Sequence, residues 1–233
     1  MNNYRHEYKY LLDYDQMMLT KLRAKGLMHP DSHVNSAGRY LIRSLYFDDD
    51  QDTCYRENED GYNIRHKYRI RYYNNDTSYI TLEKKSKLNG MTLKEQARLG
   101  LEECKLLMAG DIPKITSSMD EKLSELLAGL KLDGVRPKVI VQYEREPYVY
   151  EAGNVRVTFD ENILSSNEIE RFLEADFAVR PVLKKGESLL EVKWDDVLPR
   201  HIADYMSLDK LMWSGFSKYY YCRRYDLYGG ITV

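Results

Sequence analysis

The segment from Arg65 to Tyr73 has residue types and spacing suited to binding an anion. Successive side chains of a β-strand point to opposite faces. In an extended conformation, one face of this segment would therefore carry only cations, namely Arg65, Lys67, Arg69 and Arg71. The other face would carry aromatic and β-branched residues that favour a strand, including Tyr68, Ile70 and Tyr72. Like charges in a row repel one another, and a bound polyanion would relieve that repulsion.

Other predicted strands show the same alternation. Charged or polar side chains that share a face are Glu7 with Lys9, Glu83 with Lys85, Tyr143 with Arg145, Arg156 with Asp160, and Glu191 with Lys193. Any one of these faces could be the solvent face of an ordinary sheet. Because cations dominate the set and the opposite faces are apolar, we favour a polar interior with helices covering the outside.

The periodicity of the chain predicts an α+β fold. Strands are expected near residues 4–11, 39–47, 64–74, 78–86, 92–99, 137–147, 154–160 and 188–194, and helices near 13–25, 101–109, 119–130, 197–206 and after Ser214. Asp13 should cap the first helix, with Leu19 and Leu22 on its apolar side. We expect a closed antiparallel β-barrel of about eight strands that forms a polar tunnel, with helices packed outside. Without a linker-like segment, residues 1–233 should form a single domain.

A cation-lined interior would need a compact polyanion to fill it. Arginine can contact phosphate oxygens through two N–H groups, and lysine provides a mobile point charge. Glu7 and Glu191 would then serve as oxygen ligands for Mg²⁺ or Mn²⁺. A divalent cation beside a phosphoryl group polarises it and stabilises an in-line displacement.

The composition narrows the class of protein. The net charge of the chain is only -2, which argues against a nucleic-acid-binding module with a basic exterior. Three widely separated cysteines without metal-ligand spacing indicate a reducing, cytoplasmic location, and no apolar run approaches the ~18 residues that span a bilayer. The five histidines show no ligand spacing, and Trp194 and Trp213 are expected in the core.

Taken in order, several short motifs resemble those of the triphosphate tunnel metalloenzymes, also called CYTH-like proteins. Within that superfamily the chain is most similar to the VTC domain, the polyphosphate polymerase branch. The matching segments are Glu7 to Lys9, Ser44 to Asp48, Lys67 to Arg71, Leu82 to Lys85, Arg156 to Asp160, Leu190 to Lys193 and Phe216 to Tyr219. They extend from residue 4 to about residue 225 and so cover nearly the whole chain.

The resemblance implies a set of site residues. The catalytic residues would be Arg69, Arg71, Lys85, Arg145, Arg156 and Lys218, and substrate would also contact Lys9, Lys67, Lys94, Lys193 and Ser217. Glu191 would be the principal ligand of Mn²⁺ or Mg²⁺, with Glu7 beside it. The implied reaction transfers the γ-phosphate of ATP to a growing polyphosphate chain and releases ADP. Moving that product across a membrane would require a separate membrane protein.

One departure from the superfamily pattern bears on the reaction. The hydrolase-type signature is Glu-x-Glu-x-Lys, whereas this chain has Arg5 at the first position. One fewer carboxylate and one more cation favour anion binding and a polymerase. Two alternatives remain open. One is a tripolyphosphatase or nucleoside triphosphatase that uses the same tunnel. The other is a non-catalytic receptor for inositol polyphosphate, polyphosphate or RNA.

Overall fold

The computed structural model describes residues 4–228. Within that range the strands are β1 (His6–Leu12), β2 (His29–Pro30), β3 (Tyr40–Asp48), β4 (Ile64–Tyr73), β5 (Asp76–Leu88), β6 (Met91–Leu99), β7 (Arg136–Tyr150), β8 (Val155–Ser166), β9 (Arg180–Pro181) and β10 (Ser188–Trp194). The α-helices are α1 (Tyr14–Leu27), α2 (Thr53–Glu59), α3 (Leu101–Met108), α4 (Glu121–Leu132), α5 (Arg200–Met206) and α6 (Lys218–Tyr228). The α+β character is as predicted, whereas α2 and the two-residue strands were not anticipated.

All strands belong to one antiparallel sheet, which is not closed into a barrel. Its order is β1-β10-β8-β7-β3-β4-β5-β6, and β2 and β9 pair with β7 and β8. Closure would require a ladder between β1 and β6. Over the described residues, these end strands meet only through an isolated bridge between Arg5 and Thr92, with both N···O distances at 2.9 Å. The prediction of a closed eight-stranded barrel is therefore wrong.

One face of the sheet is covered by four helices. Leu126 and Leu127 of α4 belong to the apolar cluster that contains Leu45 of β3, and α3 contributes to the same cluster. Met17 of α1 and Ile202 of α5 lie in a second cluster with the outward residues of β1, β8 and β10. These four helices therefore bury the apolar face of the open sheet.

The sixth helix packs against the opposite face. Tyr219 and Cys222 of α6 share an apolar cluster with Ile42 and Tyr46 of β3. Since Ile42 and Tyr46 alternate with Leu45, this cluster lies on the other side of the sheet. The prediction that helices lie only outside the sheet is thus wrong for α6, which reaches the charged face.

The first helix begins as predicted but buries a different side. Asp13 Oδ1 accepts a hydrogen bond from the backbone N–H of Gln16 at 2.8 Å, which confirms the N-cap. Leu19 and Leu22 are exposed. The buried side instead includes Lys21, whose ammonium group is paired with Glu146 and Glu161. Hydrophobic periodicity could not anticipate a buried, ion-paired lysine. No helix in the described part of the chain is long and apolar enough to cross a membrane.

Candidate anion and metal site

A cavity of about 160 Å³ lies on the face that α6 covers. Its walls come from β1, β3 to β7 and β10, from α2, and from the first residues of α6 with the segment before them. The basic residues that line it are Lys9, Arg65, Lys67, Arg69, Arg71, Lys85, Lys87, Arg145, Lys193 and Lys218, and the acidic ones are Glu7 and Glu191. This excess of cations gives the cavity a positive potential, which would attract an anion.

The alternation of β4 is realised as predicted. The four cations from Arg65 to Arg71 line the cavity, whereas Tyr68 and Ile70 are buried in the cluster on the opposite face. Register with β3 places Arg71 across from Ser44. The apolar side of β4 therefore anchors the strand in the core and directs its cations into the cavity.

Neighbouring arginines of β4 have different partners. Arg69 donates from Nε and NH2 to Glu83 Oε2 at 2.7 and 2.6 Å. Burial raises the pKa of Glu83, but the charges of Arg69 and Arg71 outweigh burial and lower it below its usual value. Arg71 donates to Ser44 Oγ at 3.0 Å and Tyr143 Oη at 3.1 Å, and no described carboxylate lies within ion-pair distance of it. Arg71 thus has no ion-pair partner among the described residues, although it interacts with Glu83 at longer range.

A completely buried carboxylate, Asp160, lies behind two other cations. Arg145 contacts it through Nε and NH2 at 2.6 and 2.7 Å, and Lys218 Nζ lies 2.5 Å from Asp160 Oδ2. Both cations also reach Glu191, Lys218 at 2.6 Å and Arg145 at 3.3 Å. Sequence analysis assigned no role to Asp160. Its position in β8 directly across from Arg145 in β7 is the signal that could have identified it.

The two carboxylates that face the cavity are surrounded by lysines. Lys85 Nζ lies 2.6 Å from Glu7 Oε2, and Lys193 Nζ lies 3.1 Å from Glu191 Oε2. Burial raises the pKa of Glu7, but the charges of Lys85, Lys9 and Lys193 outweigh burial and lower it. Burial likewise opposes ionisation of Glu191, yet Lys218, Lys193 and Lys9 hold its pKa well below the usual value. Both glutamates are therefore ionised at neutral pH.

Lys67 is held by neutral groups. Its Nζ lies 3.3 Å from Asn58 Oδ1 and 3.3 Å from Ser217 Oγ, and no described carboxylate lies within ion-pair distance. Burial lowers the pKa of Lys67 to about 7. Asn58 was missed because it lies on α2, a seven-residue helix without a clear periodic pattern. The half-buried Lys67 and the buried Arg71 are thus two cavity cations whose charge an incoming anion would balance.

Two predicted phosphate contacts lie outside the cavity lining. Arg156 NH2 is bound to Tyr40 Oη at 2.8 Å and to Asp31 Oδ2 at 2.9 Å. Lys94 donates to Gln96 Oε1 at 2.6 Å and lies 3.5 Å from Glu83 Oε1. The structure therefore brings the other eleven predicted site residues together and leaves these two apart.

The tryptophans occupy different environments. Trp194 is buried as expected. Trp213 is 63% exposed and borders the cavity, so its predicted place in the core is wrong. Trp213 comes shortly after Leu208, a member of the apolar cluster beneath α1 and α5. It forms an isolated β-bridge with Tyr10 of the edge strand β1.

The donor groups fit a divalent cation that is bound together with phosphate. Among residues 4–228, no group of three or more His, Cys, Asp or Glu side chains could enclose a metal ion. Glu7 and Glu191 nevertheless supply hard oxygen donors, and the buried Oε1 of Glu7 has no hydrogen-bond partner. Mg²⁺ sites commonly use one or two carboxylates and complete the coordination with substrate phosphates and water.

Comparison with known proteins identifies the relatives of this fold. The family model of the VTC domain matches residues 4–225, which confirms the resemblance seen in the motifs. A Hippeastrum protein described as a candidate adenylyl cyclase with a dominant triphosphatase activity has a TM-score of 0.52 at 11% identity over 95% of both chains. A candidate adenylate cyclase from Bacillus halodurans gives 0.49 at 15% identity over 88% of both chains. No curated protein matches the chain.

Proposed function

Because the chain belongs to the VTC domain family, we propose that it is a metal-dependent polyphosphate polymerase that uses ATP. It would transfer the γ-phosphate of ATP to the end of a polyphosphate chain bound among the cavity cations. The cavity supports this proposal because ten lysines and arginines face two glutamates. An extended row of phosphates would balance that excess charge better than a single small anion.

The reaction needs little covalent participation from the protein. An oxygen of the terminal phosphate of the chain attacks the γ-phosphorus of ATP. The bond from that phosphorus to the bridging oxygen breaks, and ADP leaves with the electron pair. Phosphoryl transfer of this kind depends on positioning and on stabilising negative charge. Arg69, Arg145 and Lys218 suit this role because buried carboxylates fix their side chains before substrate arrives.

The cations without an ion-pair partner would contact the phosphates directly. Lys67 and Arg71 contact only neutral groups among the described residues, so an anion meets no competing carboxylate there. Glu7 and Glu191 would hold Mg²⁺ or Mn²⁺ beside the same phosphates. When bound, the divalent cation neutralises charge and polarises the phosphoryl group.

The state of the two cavity glutamates is the observation that favours a polymerase over a hydrolase. Lysines pair with both carboxylates, and a divalent cation bound there would hold the same oxygens as ligands, so neither glutamate would be free to act as a general base. A water nucleophile benefits from a general base. A terminal phosphate, whose second pKa is about 6, is already largely ionised at pH 7. Arg5 stands at the position where the hydrolase-type signature has its first glutamate, but it pairs with Asp195 at 2.7 Å and does not line the cavity, so it leaves the site one carboxylate short without adding a cation.

A triphosphatase that uses the same cavity is the second candidate. It is favoured by the fold shared with the Hippeastrum protein, which is described as having a dominant triphosphatase activity. In that reaction water would replace the phosphate chain as the acceptor.

The deciding experiment is to incubate the purified protein with ATP and Mn²⁺ or Mg²⁺ and to resolve the products by ³¹P NMR. A polymerase yields resonances of internal phosphates together with ADP. Orthophosphate without a chain would indicate a hydrolase, and no turnover with a polyphosphate-dependent rise in melting temperature would indicate a receptor. Glu191→Gln, prepared in the same way, controls for contaminating enzymes.

A further inference from the structure

Two lysines lie between the two glutamates of the cavity. Lys9 Nζ is 3.5 Å from Glu7 Oε1 and 4.0 Å from Glu191 Oε1. Lys193 Nζ is 3.9 Å from Glu7 Oε1 and 3.1 Å from Glu191 Oε2. The register of β1 and β10 explains this arrangement, because Glu7 pairs with Lys193 and Lys9 pairs with Glu191. Each ammonium group is thus shared by both carboxylates.

The shared contacts are longer than the shortest ion pair of each glutamate. Glu7 has a closer partner in Lys85 at 2.6 Å, and Glu191 has one in Lys218 at 2.6 Å. Three of the four shared distances are 3.5 Å or longer, and Glu7 Oε1 is buried without a hydrogen bond. The two glutamates would therefore lose little if Lys9 and Lys193 turned away, provided that another cation took their place.

We propose that Lys9 and Lys193 occupy the position of a divalent cation between Glu7 and Glu191, and that they turn to substrate phosphates when that cation binds. This inference rests on the proposed function, which assigns the metal to these glutamates. Two single positive charges leave the carboxylates as one double charge arrives, so the local charge balance is kept. Both lysines line the cavity and already lie beside the space that the phosphates would fill.

The exchange makes metal and polyphosphate binding cooperative. Before it, Lys193 is engaged with carboxylates, and Lys9 lies beside both glutamates while donating to the carbonyl oxygen of Phe216 at 3.0 Å, so both contribute less to anion binding. After it, both ammonium groups can pair with phosphate. Because linkage is reciprocal, phosphate that attracts the two lysines also favours occupation of the glutamates by the metal.

The test measures Mn²⁺ binding to the protein without nucleotide, by electron paramagnetic resonance of free Mn²⁺. Lys9→Met and Lys193→Met each remove one competing charge while keeping side-chain length. We expect each to bind Mn²⁺ at least about fivefold more tightly than wild type, the lower end of typical coupling between sites. Lys67→Met is the matched control, because this cavity lysine contacts Asn58 and Ser217 but no described carboxylate. It should change Mn²⁺ affinity less than either of those two variants, because it makes no ion pair with Glu7 or Glu191.

A second measurement separates the exchange from simple charge loss, which by itself would strengthen Mn²⁺ binding and weaken anion binding. Tripolyphosphate binding is followed by calorimetry with and without Mn²⁺. The gain in tripolyphosphate affinity on adding Mn²⁺ should shrink in Lys9→Met and Lys193→Met and should stay as in wild type in Lys67→Met. Equal or weaker Mn²⁺ binding in Lys9→Met and Lys193→Met, or an equal rise in Mn²⁺ affinity in Lys67→Met, would overturn the exchange. If Glu7→Gln and Glu191→Gln bind Mn²⁺ like wild type, the metal assignment itself fails, and with it the exchange. The ³¹P NMR assay reports separately on the proposed reaction.

Discussion

Lys218 Nζ lies 2.5 Å from Asp160 Oδ2, and the carboxylate that holds it is completely buried. Lys218 therefore keeps an anionic partner whatever happens at Glu191. A metal ion or a substitution at Glu191 would leave the Lys218–Asp160 pair in place. This separation of roles, with one carboxylate fixing cations and another facing the cavity, allows the two functions to be tested apart.

Glu191→Gln should abolish turnover and spare anion binding. The substitution removes the proposed metal ligand, while Asp160 continues to hold Arg145 and Lys218. We expect the transfer rate to fall by at least about a hundredfold, as is common when charge stabilisation at a phosphoryl site is lost. Tripolyphosphate binding without metal should remain within a few-fold of wild type by calorimetry. Full activity in this variant would contradict the assignment of Glu191.

Arg69→Ala should mainly lower the stability of the protein, whereas Arg71→Ala should mainly weaken anion binding. Removal of Arg69 leaves Glu83 buried with only Lys94 at 3.5 Å, which should cost about 3 kcal/mol in the free energy of unfolding. Arg71 contacts neutral groups, so its removal should cost only about 1–2 kcal/mol but should weaken tripolyphosphate binding more. Urea denaturation and calorimetry measure the two quantities. Identical behaviour of the two variants would show that their different partners do not matter.

The affinity for tripolyphosphate should fall as the pH rises through about 7. Burial lowers the pKa of Lys67 from 10.5 to about 7, so the empty cavity loses this charge above neutrality.

The same shift affects stability, because the unfolded chain keeps the proton of Lys67 up to about pH 10.5. Between pH 7 and 10.5 the unfolded state thus binds more protons, and Lys67 makes stability rise with pH across that interval.

Calorimetry of tripolyphosphate binding at pH 6, 7 and 8 measures the fall in affinity. Lys67→Met serves as the control, because ionisation of the ligand itself affects both proteins equally. The variant should lack the part of the pH dependence that belongs to the lysine. Parallel pH profiles for wild type and variant would rule out titration of Lys67 in this range.

Asp48→Asn should destabilise the protein by about 3 kcal/mol. Asp48 is completely buried and accepts hydrogen bonds from the backbone N–H groups of Cys54 and Tyr55, and from the hydroxyl of Tyr219. It thereby joins β3 to both α2 and α6, and hydrogen bonds to a buried charged group are each worth about 1.5–3 kcal/mol. Urea denaturation provides the measurement. The exposed Asp50→Asn should change stability by less than about 0.5 kcal/mol, and an equal loss there would contradict the role of Asp48.

Strand periodicity was enough to predict which side chains face the cavity. The alternation around Arg69 and around Glu191 fixes their orientation, because the opposite residues must enter the core. It does not fix where along a strand the cavity ends. Arg156 lies on the expected strand and is directly paired with Lys193, yet Tyr40 and Asp31 bind it outside the lining.

Other features depend on tertiary contacts that sequence patterns do not encode. Open and closed antiparallel sheets share the same alternation, so closure could not be inferred from it. Tyr143 lines the cavity, and alternation does not predict that Arg145 Cζ and Lys218 Nζ lie 5.3 and 4.7 Å from its ring centre. Asn58 reaches the cavity only because α2 packs beside α6, where Tyr55 stacks on Tyr220 at 4.8 Å.

The hydrogen bond from Lys9 Nζ to the carbonyl oxygen of Phe216 joins residues that are 207 positions apart. Contacts of such high sequence separation carry a large loop-closure cost and form slowly. Both members of this contact line the cavity, and so do Glu7 and Lys85, which pair across 78 positions. The core beneath α3 and α4, built from strands β4 to β6 that are neighbours along the chain, can assemble sooner. We therefore expect the site to be among the last parts of the protein to form during folding.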